Sequence, residues 1–186
     1  MPENDIPEYI QSIRTDLGFN IVDLYRQAQK AIATLTPDQY AGALQVTKAR
    51  VQQDYQAGKL DLIPACKIFL SVLELSIKVK DFESEITTLC NLGLMFQNAR
   101  AYDVAIIFAT EGIRIAYKHN LLELKLNALN VLSLVYTNTS ESEKRIEVMG
   151  EVAETYGKLG QMEKKEEIEG LIKQNREFMA IFEKSE

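Results

Sequence analysis

Apolar residues recur along this chain at three- and four-residue intervals, the repeat of a helix with one buried face. Between Leu62 and Val79, the residues Ile68, Phe69, Val72, Leu73 and Leu75 fall largely on one side. The same period runs through 19–35 and, near the end, through Ile168, Leu171, Ile172, Phe178, Met179 and Phe182. Caps and breakers divide the pattern. Thr36-Pro37-Asp38-Gln39 offers an N-cap Thr, Pro at the first helical position and Gln at the third. This predicts a helix to about Ala57 with Gly58 as a left-handed stop. Asp61 is the expected cap of the next helix, and Pro64 falls in its first turn, where a missing amide costs little. Lys80 or Asp81 marks a tight turn into a helix ending near Asn98. Residues 98–101 form the next turn, followed by a helix from Tyr102 to Lys118. Asn120 with Glu123 and Ser140 with Glu143 read as two more capping boxes, opening helices to about Thr137 and Lys158. Leu159-Gly160 turns the chain into a last helix over 161–183, and 5–16 reads as a short helix. The expected fold class is all-α, about nine helices joined by short loops that force antiparallel neighbours.

Composition agrees with helices. The 186 residues include 9 Gly and 4 Pro, against roughly 13 and 9 at average usage. A β-sandwich or barrel needs more turn formers than this. With 46% hydrophobic residues the chain is not of the disordered class, and no run approaches the ~18 apolar residues of a membrane span. The net charge of −6 is spread evenly. The mildly positive segment 37–80 has six Lys and Arg against four Asp and Glu. The absence of a basic stripe argues against nucleic acid as a partner. The start, MPENDIPEYIQ, lacks the basic region and apolar core of a secretory signal. Together with two separated cysteines in apolar stretches, this points to the cytoplasm, with Cys66 and Cys90 as small core residues.

An internal repeat is the strongest signal. Leu89-x-x-Leu92-Gly93-x-x-Phe96 is followed by Ala105, Ala109 and Gly112, and the first part returns as Leu129-x-x-Leu132-Ser133-x-x-Tyr136. Large, Leu, small and aromatic side chains then share one helical face, with the small residue at a close approach. The pattern resembles the tetratricopeptide repeat (TPR), best over 86–119 and more weakly over 46–79 and 126–159. A shifted register also works at the end, through Val152, Ala153, Tyr156, Gly160 and Met162. The interval from Leu89 to Leu129 exceeds the common repeat of roughly 34 residues, which implies longer helices. The resemblance implies a right-handed solenoid of helical hairpins. It divides the chain into an N-terminal helical pair (1–36), TPR-like repeats (37–160) and a C-terminal capping helix (161–186).

It also implies a peptide-binding groove along the first helix of each repeat. Carried over position by position, the groove residues are Thr87, Cys90, Asn91, Leu94, Gln97 and Asn98 in the best copy. The next copy supplies Asn127, Asn130, Val131, Leu134, Thr137 and Asn138, and the first supplies Thr47, Arg50, Val51, Asp54, Ala57 and Gly58. The favoured set is Arg50, Asp54, Thr87, Asn91, Leu94, Asn98, Asn127, Asn130, Leu134 and Asn138. An Asn amide donates and accepts, so it can pair with a peptide group on both sides. The family's two-carboxylate clamp wants Lys and Asn where this chain has Arg50 and Asp54, or Cys90 and Leu94, so a tail-carboxylate receptor is not expected.

Catalytic and metal chemistry find little support. The chain has no phosphate-binding loop or dinucleotide fingerprint. The single histidine, His119, is expected to cap helix carbonyls. One His and two distant Cys do not make an ordinary zinc site. The expectation is therefore a non-enzyme without cofactor that binds a protein or peptide partner. Alternatives are an assembly subunit or a secretion-type chaperone that uses the outer face or the last helix, including homodimerisation through that helix.

Overall fold

The computed structural model describes residues 6–14, 17–56 and 61–183. Among these it is helical with no strand. The helices are α1 (Glu8–Gln11), α2 (Ile21–Ile32), α3 (Tyr40–Gln56), α4 (Leu62–Val79), α5 (Phe82–Asn98), α6 (Tyr102–Lys118), α7 (Leu122–Asn138), α8 (Ser142–Lys158) and α9 (Met162–Glu183). A 3-10 turn, Pro37–Gln39, leads into α3. There Gln39 Oε1 accepts from the Thr36 N–H at 2.9 Å, the arrangement its sequence predicts. Ala57 and Gly58, the predicted end of α3, lie outside the described residues.

From α4 onward the chain turns at a fixed period. Lys80, Arg100, Asn120, Ser140 and Gly160 all have φ between 55° and 73°. At each, the N–H of the following residue reaches back to a carbonyl of the last helical turn: Asp81 to Ser76, Ala101 to Phe96, Leu121 to Ala116, Glu141 to Tyr136 and Gln161 to Tyr156, at 2.9–3.1 Å. This is the Schellman stop, with a left-handed residue satisfying orphan carbonyls. The residue after it gives its own carbonyl to the next helix, as when Ala105 N–H donates to Ala101 O. Helices α5 to α8 are each 17 residues long and are separated by three.

Two predicted capping boxes give way to this turn. Asn120 and Ser140 are the left-handed residues (φ 55° and 59°), and Leu121 and Glu141 are the N-caps, without side-chain capping bonds. The stop of the preceding helix claims Asn120 and Ser140 first. Asp61 does stand at the N-cap of α4, but its side chain makes no capping bond, whereas Asp81 accepts from Ser84 N–H at 3.0 Å. Three turns are also clasped by a Tyr from one helix and a Lys from the next. Lys125, Lys144 and Lys164 lie 5.8, 5.6 and 5.4 Å from the ring centres of Tyr117, Tyr136 and Tyr156, within cation–π range.

Consecutive helices pack on one another from α3 to α9, and α5 also packs on α7. The N-terminal segment takes a different route: α2 packs on α4, and α1 touches α2 and α6. Its anchors are Ile10, Ile21, Leu24, Tyr25, Ala28 and Ile32, all buried. Tyr9 meets Phe108 edge-on at 6.3 Å, and Phe19 stacks on Phe96 at 6.5 Å. Neither α1 nor α2 contacts α7.

Polar groups are enclosed where Tyr9 of α1 approaches Glu85 of α5 and Glu111 of α6. Glu85 is 9% exposed, and burial, reinforced by Glu111, pushes its carboxyl up to about 7 against the opposing pull of Arg114 and Lys118. The Tyr9 hydroxyl is buried without a hydrogen-bond partner, and burial beside these carboxylates raises its pKa. Tyr25 donates to Glu74, which also pairs with Lys78 at 3.0 Å.

Gly relieves the roughly 1–2 kcal/mol cost of a left-handed side-chain-bearing residue, less its own backbone entropy. Arg100→Gly and Ser140→Gly should therefore each raise stability by about 0.5–1 kcal/mol, read as a midpoint gain of about 1–4 °C. Glu85 holds its proton more tightly folded than unfolded. Its contribution is complete below its ordinary value of 4.5 and lost as pH rises through about 7. Thermal unfolding followed from pH 4.5 to 8 should show stability falling over that window, and Glu85→Gln should flatten the fall.

Candidate functional site

Two glycines set the spacing of α5, α6 and α7. A Cβ on Gly93 would stand 3.0 Å from Val131 Cγ1 and 3.5 Å from Ala105 O. One on Gly112 would stand 3.4 Å from Ala128 Cβ. Both glycines thus occupy the close-packing positions that the repeat pattern assigns them. Phe96 fills the interior and stacks on Phe108 at 5.7 Å.

With α7 drawn against α5, their outward faces bound a trough of about 340 Å³. Its walls are Thr87, Cys90, Asn91, Leu94, Leu124, Asn127, Asn130, Val131 and Leu134. Six of the ten favoured sequence candidates meet here: Thr87, Asn91, Leu94, Asn127, Asn130 and Leu134. The other four are elsewhere. Asn98 and Asn138 are exposed at the ends of α5 and α7. Arg50 and Asp54 pair with each other along α3 at 3.6 Å, and α3 packs on α4 without reaching α5 through its backbone. A side-chain bond from Lys48 Nζ to Ser84 Oγ, 2.6 Å, links α3 to the start of α5. Leu124 is the wall residue that the repeat pattern did not point to. Its signal was present, since positions 124, 127, 131 and 134 follow helical spacing, but Ser84 holds the equivalent place in α5 and hides the likeness.

No wall residue carries a formal charge. Asn91, Asn127 and Asn130 are exposed, and their side chains bond to nothing else among the described residues. Leu94 and Leu134 are 36% and 41% exposed. The trough therefore offers free amide donors and acceptors beside apolar surface. Cys90 is 7% exposed, and burial pushes its thiol up to about 12. Cys66 is likewise raised to about 12 by burial. At neutral pH both are thiols, not the thiolates that act as nucleophiles or metal ligands. His119 sits at the C-cap of α6 with its ring stacked 3.6 Å from that of Phe82.

A second concavity, about 580 Å³, lies between α8 and α9. Its walls are rich in charge, and all of those charges but Arg176 pair along their own helices: Glu154 with Lys158, Lys165 with Glu169 and Lys173 with Glu177, at 2.6, 3.6 and 3.9 Å. No group of three His, Cys, Asp or Glu among the described residues is placed to hold a metal ion. No helix among them is long and apolar enough to cross a membrane.

No protein-family model, curated protein or solved structure matches the chain. The site is therefore interpreted from its own chemistry.

Close packing gives two glycines opposite consequences. Gly93→Ala should destabilise by about 1–3 kcal/mol, because Val131 and the α6 backbone leave no room for a methyl group. Gly150→Ala, with nothing within 4 Å of the new Cβ, should stabilise by up to about 1 kcal/mol through helix propensity. Denaturant unfolding of the two variants checks both signs.

Proposed function

We propose that this protein is a TPR-like, right-handed solenoid of helical hairpins that binds an unstructured or helical segment of a partner protein in the α5–α7 trough, without catalysis. The observation that carries the reading is the trough itself. Three unpaired Asn amides stand beside Leu94 and Leu134, and neither α1 nor α2 contacts α7. Asn is a poor mid-helix residue, so these side chains cost local stability and make no intramolecular bond in return. Paired with a peptide backbone, each can donate and accept at once. The left-handed stops, evenly spaced from Lys80 through Arg100, Asn120 and Ser140 to Gly160, support the solenoid part of the proposal. Each hairpin then repeats the orientation of the one before. The high thiol pKa of Cys90 supports a binding role over a nucleophilic one, and two buried thiols suit a reducing cytoplasm.

The test is affinity capture from native extract with quantitative mass spectrometry, comparing wild type with Asn91→Ala/Asn130→Ala. The double variant should keep its unfolding midpoint and lose the captured partner by about tenfold or more, the loss of roughly 1.4 kcal/mol or more. Undiminished capture overturns the trough assignment. Loss seen only on truncation after Asn175 would move the interaction to the end of α9, where Phe178 and Ile181 are 61% and 64% exposed. That end is the alternative face for homodimerisation or assembly.

A further inference from the structure

Residues 6–14 are tied to the rest of the chain by apolar contact. Among the described residues, every hydrogen bond they make stays inside the segment. Gln11 Nε2 donates to Ile6 O at 2.6 Å, Ser12 Oγ to Tyr9 O at 2.7 Å and Arg14 Nη1 to Gln11 O at 2.6 Å. The backbone bonds of α1 likewise close on Pro7, Glu8 and Ile10. The grip consists of Ile6, Ile10 and Ile13, all buried, and of the Tyr9 ring set edge-on to Phe108. A single helical turn such as α1 does not hold its own shape in water, so the segment depends on this seat.

The seat encloses two polar groups that lack partners. The Tyr9 hydroxyl is one. The other is the buried carboxylate of Glu85 in the first turn of α5, which makes no hydrogen bond or ion pair among the described residues. Packing lays a second carboxylate beside it. A Cβ on Gly112 would stand 3.7 Å from Leu89 Cβ and 3.9 Å from Ile86 Cγ2, so Glu111 runs alongside Glu85. Phe108, against Tyr9, is about one turn away on α6.

The charges that face this site from the surrounding elements are mostly committed. On α6, Arg114 holds Glu111 through two bonds of 2.6 and 2.7 Å, and Lys118 attracts Glu85 from farther along. On α4, Glu74 accepts from Tyr25 of α2 and pairs with Lys78. On α3, Lys48 bonds to Ser84, and on α7, Lys125 pairs with Glu151. Burial and Glu111 together outweigh Arg114 and Lys118, so Glu85 keeps its proton up to about 7.

We infer that residues 6–14 are a pH-sensitive strap, seated on α6 while Glu85 is protonated and released when Glu85 carries its charge. Seated, an ionised Glu85 is shut in beside Glu111 without an ion pair. Released, it is hydrated and returns toward the ordinary carboxylate range. The seated state therefore binds the proton more tightly. Opening is rarest below the ordinary value of 4.5, grows by up to about tenfold per pH unit as pH rises toward about 7, and levels off above it. Opening uncovers Phe108 and the Glu85 carboxylate, and it does so whether or not the trough holds a peptide.

The test is amide hydrogen exchange of the intact chain from pH 5 to 8, read by mass spectrometry, with each rate divided by that of an unstructured chain at the same pH. Protection in residues 8–13 should fall by about tenfold or more over this range. It should also lie at least about tenfold below that of α6 around Phe108 and Gly112 at every pH, because the strap opens without global unfolding. Glu85→Gln, which stays neutral, should keep at pH 8 the protection that wild type has at pH 5. Glu111→Gln should shrink the fall, since one cause of the retained proton is gone. Protection that is flat with pH in wild type overturns the switch. So does a fall that persists unchanged in Glu85→Gln or, if that variant does not fold, in Glu111→Gln. Protection equal to that of α6 means that the segment leaves only when the whole protein unfolds, and overturns the strap.

Discussion

The left-handed helix stop is the constraint on which the second half of the molecule depends. Each stop uses the two residues that precede the next helix to satisfy the last carbonyls of the one before, and the second of these also opens the next helix. The same short left-handed turn therefore stands at every junction from α4 to α9. A constant helix length from α5 to α8 and a constant turn keep equivalent positions on equivalent faces. The shared face of Asn91 and Asn130, and the burial of Leu89 and Leu129, both follow from that constancy. The stop is held by position rather than by residue type. Lys80, Arg100 and Ser140 adopt the left-handed region despite their side chains, because the helices on either side have nowhere else to go.

Close approach is the second requirement, and it is local. Gly93 lets Val131 come within contact of the α5 backbone, and Gly112 does the same for Ala128. Large aromatic side chains fill the remainder: Phe96 and Phe108 stack inside, and Tyr9 and Phe19 extend that cluster outward to the N-terminal segment. The cost of this arrangement is polar burial beneath α1, where Glu85 and the Tyr9 hydroxyl are shut away from water. On the opposite side, the same packing leaves three Asn amides and two leucines uncovered. Burial is thus concentrated on one face of α5 and exposure on the other, which gives the proposed groove its chemistry.

Much of the architecture was legible in the residues. Helices α4 and α6 match their expected bounds to the residue, because Asp61, Pro64 and the turns around Lys80 and Arg100 are local signals. The close-packing glycines were legible too, since Gly93 and Gly112 break a helix pattern at the spacing where a neighbour must approach. The capping boxes at Asn120 and Ser140 were misread for a physical reason. Asn and Ser suit an N-cap, yet the same residue can end one helix or begin the next, and the preceding helix's carbonyls decided the matter. Arg50 and Asp54 share the repeat register of the trough residues, but α3 packs on α4 and stays apart from α5, so their side chains pair with each other.

What the sequence determined by itself was therefore the helical class, the bounds of α4 and α6 and the small-residue positions, because hydrogen bonding and sterics over four or five neighbours settle each of these. Only the tertiary structure decided that α1 and α2 lie against α4 and α6 and leave α7 uncovered. Only it placed Glu85 and Tyr9 together in a buried site, and brought Leu124 to the wall beside Asn91. Those arrangements depend on which apolar stripe finds which partner among residues tens of positions apart. That choice is made by the total surface removed from water and is not written in any local pattern.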